Sequence, residues 1–157
     1  MNEPAVGTAT AGPPRAAADR PTLSFELFPP RDIDNAPRTW ETVRALEAVH
    51  PDFVSVTYGA SGRTRTTSRA LVSRILRETT LTPIAHLTCV GTSREEVTTI
   101  VGEFLDEGVR SFLALRGDPP SDADSWHPHP QGVPTAAVLV ALLREIEANR
   151  CATSPAQ

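Results

Sequence analysis

The chain predicts an α/β fold of four consecutive βα units on a parallel sheet, which is half of a (βα)8 barrel. Three observations carry this. Short apolar runs, most of them rich in β-branched residues, begin at Leu23, Phe53, Pro83 and Phe112. Each is followed by a segment whose apolar residues recur at helical spacing. Each run also ends on side chains that a buried strand has no structural need for, whereas an active site at the carboxyl mouth of a parallel sheet needs such groups there.

The first strand, Leu23-Ser24-Phe25-Glu26-Leu27-Phe28, alternates, with Leu23, Phe25 and Leu27 on one face and Ser24, Glu26 and Phe28 on the other. It closes at Pro29-Pro30, and Trp40, Val43, Leu46 and Val49 then form the stripe of the first helix. The second strand runs into Thr57-Tyr58-Gly59-Ala60, and Leu71, Val72, Ile75 and Leu76 form the next stripe. The third is Pro83-Ile84-Ala85-His86-Leu87-Thr88-Cys89, followed by Val97, Ile100, Val101, Phe104 and Leu105. Ser93 with Glu96 is a capping-box pattern, and Gly108 sits where that helix should end. The fourth strand, Phe112-Leu113-Ala114-Leu115, leads into Arg116-Gly117-Asp118, and Val138, Leu139, Leu142, Leu143 and Ile146 form the last stripe. A closed eight-unit barrel takes about 250 residues, so a 157-residue chain predicts half of one. The expected organisation is a disordered leader over 1–21, a partial barrel over 22–150 with no second domain, and a tail over 151–157.

Composition narrows the function. A formal charge of −4 argues against a nucleic-acid partner. The Ala-, Pro- and Gly-rich start holds no uninterrupted apolar stretch of the kind a secretory signal needs, and no segment approaches the roughly 20 apolar residues of a membrane span. Cys89 on a strand and Cys151 in the tail make no disulfide framework, so a reducing, cytoplasmic setting is expected. His127-Pro128-His129-Pro130 has only two candidate ligands in a Pro-rich loop, and is read as a solvated insertion with no metal. Arg63, Arg65, Arg69 and Arg74 read as a solvated helix face, with phosphate binding as the less common alternative.

The strand ends carry a resemblance. Ser24-Phe25-Glu26-Leu27-Phe28-Pro29-Pro30-Arg31, Val54-Ser55-Val56-Thr57-Tyr58-Gly59-Ala60, His86-Leu87-Thr88-Cys89 and Ala114-Leu115-Arg116-Gly117-Asp118-Pro119-Pro120, four strings in order at matching spacing, together resemble the bacterial methylenetetrahydrofolate reductases. That family is a FAD-containing TIM-type barrel that passes a hydride from NAD(P)H through flavin to 5,10-methylenetetrahydrofolate, giving 5-methyltetrahydrofolate for methionine supply. The resemblance covers roughly residues 23 to 146, the first half of the family's catalytic barrel.

The resemblance implies roles residue by residue. Glu26 matches the acid that helps open the folate's five-membered ring. On the inward face of its strand, apolar neighbours would raise its pKa toward a proton donor's range; a carboxylate merely paired with Arg31 is the alternative. Asp118 matches a second catalytic position, at the flavin's pyrimidine end and within reach of the pterin; an ordinary turn aspartate is the alternative. Thr57 and His86 match flavin-contacting strand ends, and Gly117 would let the backbone approach a flat ring closely. Arg116 would pair with the cofactor's pyrophosphate, or else form a salt bridge with Asp118 or Glu26. Tyr58 reads either as a ring-stacking or as a packing residue.

Two departures are visible. Where the family places a Tyr-Ala pair beside the cofactor, the aligned stretch reads Thr135-Ala136-Ala137-Val138. What the family supplies from its last four strands has no counterpart in this sequence. Four strands cut from a barrel leave two free sheet edges and an uncovered apolar side. The expectations are therefore a homodimer that completes the ring, a complex with a separate second half-barrel, or a truncated, non-catalytic remnant that keeps part of the flavin and folate site.

Overall fold

A computed structural model describes residues 21–30, 33–58, 62–118 and 129–153. Helix and strand alternate throughout: β1 (Ser24–Leu27), α1 (Ala36–Glu47), β2 (Phe53–Val56), α2 (Gly62–Glu78), β3 (Pro83–Thr88), α3 (Arg94–Asp106), β4 (Phe112–Leu115) and α4 (Ala136–Thr153), with one 3-10 turn, Ile33–Asn35, ahead of α1. The strands form one sheet in the order β1-β2-β3-β4, and every neighbouring pair is parallel. This is the α/β arrangement of half a (βα)8 barrel, as the sequence predicts.

Strand alternation decides which side the helices cover. Phe25 and Leu27 of β1, Val54 and Val56 of β2, Ala85 of β3 and Phe112 of β4 pack with Val43, Leu71, Val72, Ile75 and Phe104 from the helices. Leu87 and Ala114 join a second cluster with Val97, Val101, Leu139, Leu142 and Ile146. Burial of these side chains removes apolar surface from water at about 25 cal/mol per Å². Phe104 links the centre, with its ring edge-on to Tyr58 and Phe112 at centroid distances of 6.0 and 5.9 Å.

Local signals set the helix ends. Ser93 caps α3: its hydroxyl accepts from the Glu96 backbone N–H, and the Glu96 carboxylate accepts from the Ser93 N–H, the reciprocal pair the sequence predicts. Gly108, at φ +98, ends the same helix in the left-handed region that its lack of a Cβ permits. At α4, the Thr135 hydroxyl accepts from Val138 N–H, so the residue that departs from the family pattern serves as a cap. Two stripe assignments need correction. Val49 lies past the end of α1 in a turn and is 52% exposed, and Val138 sits in the first turn of α4, outside the buried stripe. The helix also continues through Cys151 to Thr153, where a tail was expected. The leader up to residue 20 and residues 154–157 lie outside the described residues.

Side-chain bridges lace each helix to the next. Arg74 of α2 lies 3.8 Å from the ring centroid of Trp40 on α1, and Arg69 of α2 reaches Glu103 and Glu107 on α3. Arg94 and Asp106 of α3 pair with Glu145 and Arg150 of α4. Exposed pairs contribute about 0–1 kcal/mol each, so packing holds the layer together and the bridges set its spacing.

Among the described residues no helix packs on the opposite face of the sheet. Phe28 is 69% exposed, and Leu113 and Leu115 also stand in solvent. Beside β4 a cleft of about 910 Å³ opens between the strand, α3 and α4, lined by Phe112, Leu113, Val140 and Leu143. Among the described residues β1 and β4 each pair on one side alone. Among the described residues no helix is long and apolar enough to cross a membrane.

Phe104 gives the core a direct test. Phe104→Ala is expected to lower unfolding stability by about 3–5 kcal/mol, read from urea denaturation, because the site is enclosed by rings that cannot collapse onto the gap.

Candidate active site at the strand ends

The parallel register brings three of the expected residues together. Glu26 lies in β1 between Phe25 and Leu27, and since those two face the helices, its carboxylate faces the bare side. Thr57 follows β2, where its N–H donates to the Leu27 carbonyl at 2.9 Å and extends the ladder by one step. Val56 pairs with Ala85, so Thr57 stands level with His86 of β3. The Thr57 hydroxyl donates to Glu26 Oε1 at 2.9 Å, and His86 Nδ1 stands 3.9 Å from the same oxygen.

His86 is the buried member, at 6% exposure, and its Nε2 has no hydrogen-bond partner among the described residues. Burial pushes its pKa below the usual histidine value, against a smaller upward pull from Glu26. At 3.9 Å the pair is therefore a neutral imidazole beside a carboxylate, and not an ion pair. The expectation that apolar neighbours enclose Glu26 is corrected. Its side chain is 50% exposed, because nothing in the described residues covers this face, and its contacts are a hydroxyl and an imidazole.

The fourth strand end contributes differently. The Arg116 carbonyl accepts from Val90 N–H at 2.9 Å and from Cys89 N–H at 3.3 Å, which ties the chain leaving β4 to the chain leaving β3. Gly117 has φ +81, and a Cβ there would stand 2.7 Å from Val90 Cγ1 and 3.1 Å from Thr88 Cβ. The absent Cβ thus leaves room for these neighbouring side chains. The side chains of Arg116 and Asp118 are exposed, and among the described residues no ion pair joins them to each other or to Glu26. Arg31 lies outside the described residues.

Tyr58 is not part of the group. Its ring is buried on the helix side against Phe104, which selects packing over stacking, and burial pushes its hydroxyl pKa up. The arginines of α2 are engaged locally: Arg65 donates to the Thr92 hydroxyl, Arg69 to the α3 carboxylates and Arg74 to Glu78. Of the two loop histidines, His129 Nδ1 accepts from Gln131 N–H, while His127 and the side chain of Arg63 lie outside the described residues.

Sequence reasoning missed Ser68. Its hydroxyl is 1% exposed and donates to the Thr57 carbonyl at 2.7 Å, so α2 reaches the strand end through this one residue. A signal was present, because Ser68 is a polar residue in register with the apolar stripe Leu71, Val72 and Ile75.

His86 gives the site a pH signature. Its folded pKa lies below the unfolded value near 6.5, so the unfolded chain binds more protons. Its stability contribution is complete above that value and is lost as pH falls from there through the folded pKa. Between about pH 7 and pH 5, the wild type is expected to lose more unfolding stability than His86→Phe, measured by urea titration at each pH.

A family model described as methylenetetrahydrofolate reductase matches residues 14–156. The 5,10-methylenetetrahydrofolate reductase of Pectobacterium carotovorum subsp. carotovorum is 38% identical over 127 residues, 81% of this chain and 41% of that protein. The protein of the same name from Salmonella typhimurium is 36% identical over 124 residues, 79% of this chain and 40% of its own length. A probable methylenetetrahydrofolate reductase (NADH) from Oryza sativa subsp. japonica is 32% identical over 130 residues, 82% of this chain and 22% of that protein. The chain thus spans about two fifths of the bacterial relatives it matches. With nearly its whole length inside the family model and its polar strand ends drawn to one oxygen of Glu26, the chain belongs to the methylenetetrahydrofolate reductase family.

Proposed function

We propose that the chain forms the first half of a flavin-dependent reductase barrel that converts 5,10-methylenetetrahydrofolate to 5-methyltetrahydrofolate with NAD(P)H. The observation that carries this reading is the convergence of Thr57 and His86 on one oxygen of Glu26, on the face of the sheet away from the helices. That face suits a flat, mixed-polarity ring. Phe28, Leu113 and Leu115 offer apolar surface, Glu26 and Thr57 offer polar edges, and the orphan Nε2 of His86 still has hydrogen-bonding capacity.

FAD, when bound, supplies the two-electron carrier between the nicotinamide and the folate. The chain's own residues bind and orient. Thr57 occupies Glu26 Oε1, which leaves Oε2 for the substrate nitrogen; in its protonated form the acid gives that nitrogen the Oε2 proton as the ring opens and is left as the carboxylate. His86, kept neutral by burial, stands 3.9 Å from Oε1 without forming an ion pair with it. Arg116 and Asp118 project from the neighbouring strand end, where a guanidinium suits the pyrophosphate and a carboxylate suits the pyrimidine edge. Tyr58 packs in the core and is left out of this assignment.

Turnover requires cover. A half-exposed Glu26 exchanges protons with water as readily as with a substrate, so the reading places a second half-barrel over the bare face, from the same polypeptide, a separate subunit or a second copy. A reading in which this chain alone is a non-catalytic remnant draws on the same exposure. Colour separates the two: a yellow preparation bleached by NADH supports the reductase, and a colourless one indifferent to added FAD supports the remnant.

Two substitutions test the assignments in the flavin-loaded protein. Glu26→Gln is expected to keep flavin reduction by NAD(P)H while slowing folate reduction about 10²- to 10⁴-fold, since only the second half-reaction needs the proton. Equal loss in both would remove Glu26 from that role. Asp118→Asn is expected to raise the flavin reduction potential, measured by dye equilibration, because the reduced anion then no longer faces a carboxylate.

A further inference from the structure

Ser68 breaks the pattern of its helix. The buried stripe of α2 runs through Ser68, Leu71, Val72 and Ile75, and the hydroxyl is enclosed as deeply as its apolar neighbours. A buried hydroxyl costs about 1–3 kcal/mol unless it is satisfied. Helical hydroxyls commonly bond the carbonyl one turn back, as Thr42, Thr98 and Thr99 do here. Ser68 makes, whatever its contacts within the helix, a bond across the loop to the Thr57 carbonyl at 2.7 Å.

Thr57 is thereby fixed at three atoms. Its N–H donates to Leu27 O, its carbonyl accepts from Ser68 and its hydroxyl donates to Glu26. A β-branched side chain is restricted at χ1, so once the backbone is held the hydroxyl has few directions to point. Thr57 lies just beyond the last paired residue of β2, where the β3 ladder no longer holds it. Ser68 supplies the missing constraint from the helix side.

We propose that Ser68 is a positioning residue for the proton-delivery site, holding the Thr57 carbonyl so that the Thr57 hydroxyl stays on Glu26 Oε1 and Oε2 is left for the substrate. The inference rests on the role given to Glu26 above, while its geometric content is independent of turnover. Ser68 touches neither substrate nor cofactor; it acts through Thr57.

The test follows the His86 ring by NMR through a pH titration of the 157-residue chain. Glu26 is the charged group facing that ring; Thr57 of the β2 end and Leu113 of β4, level with it, carry no charge. If Ser68 keeps the carboxylate beside Nδ1, Ser68→Ala lowers the His86 midpoint, because the carboxylate swings into solvent and its upward pull is lost. Thr57→Val gives the same downward shift, and the double variant shifts no further than Thr57→Val alone. Ser68→Cys, nearly isosteric with a weak donor, keeps the fold should the alanine not, and shifts in the same direction by no more than alanine does. Ser68 variants that fold and leave the His86 midpoint at the wild-type value while Thr57→Val lowers it overturn the proposal, as do additive shifts in the double variant. The half-reaction assay on Glu26→Gln bears on proton delivery and not on this geometry, so either reading can fail while the other stands.

Discussion

The candidate site depends on the register of a parallel ladder. Strands lie about 4.8 Å apart, and side chains at one level of neighbouring strands meet only if the backbones are in phase. Here Glu26 pairs with Ser55 and Val56 pairs with Ala85, which sets Thr57 and His86 at one height, with Glu26 two residues below them on the same face. A slip of one residue in β1 would send Glu26 into the helix-side core and Leu27 onto the bare face. The apolar partners of Leu27, which include Val43 and Val54, oppose that slip. Packing on one side of the sheet therefore aims the polar groups on the other.

The two faces meet different conditions. On the helix side, Phe104 and Leu139 lie in apolar clusters, and the polar contacts between helices sit at the rim. On the other side the same strands present Phe28, Leu113 and Leu115 to water beside an acidic and a basic side chain. A surface of this kind is normally an interaction site. Family membership gives the exposure its geometric sense, since the bacterial relatives are about two and a half times as long as the stretch they share with this chain, and a barrel built from eight such units has no bare face.

Much of the fold was legible because it is periodic. Four strands and four helices lie where alternation and helical spacing place them, and the capping box at Ser93 and Glu96 is read directly from two letters. Errors fall where periodicity ends: Val49 and Val138 continue a stripe in the sequence, but the helix has already stopped or has only just begun. In the site, strand parity located Glu26, and the level of neighbouring strand ends located Thr57 and His86. Parity separates Tyr58 from Thr57, its immediate neighbour, so one faces the core and the other the carboxylate. Gly117 was legible as a position that excludes a side chain, but not what excludes it, because Val90 lies on a different strand end. Ser68 escaped because a hydroxyl's partner far along the chain leaves no trace in local spacing.

Cys89 has a consequence of a different kind. It is buried at the end of β3, its sulfur lies 3.7 and 3.6 Å from the carbonyl oxygens of Leu115 and Arg116, and burial pushes the thiol pKa up. Peroxide and alkylating agents attack the thiolate form, and here that form is suppressed and shielded. The seam between the third and fourth strand ends is thus chemically quiet, although it adjoins a surface suited to an electron carrier. Of the two cysteines, oxidation would begin at the exposed Cys151 on the outer helix, and would leave the seam between the strand ends intact.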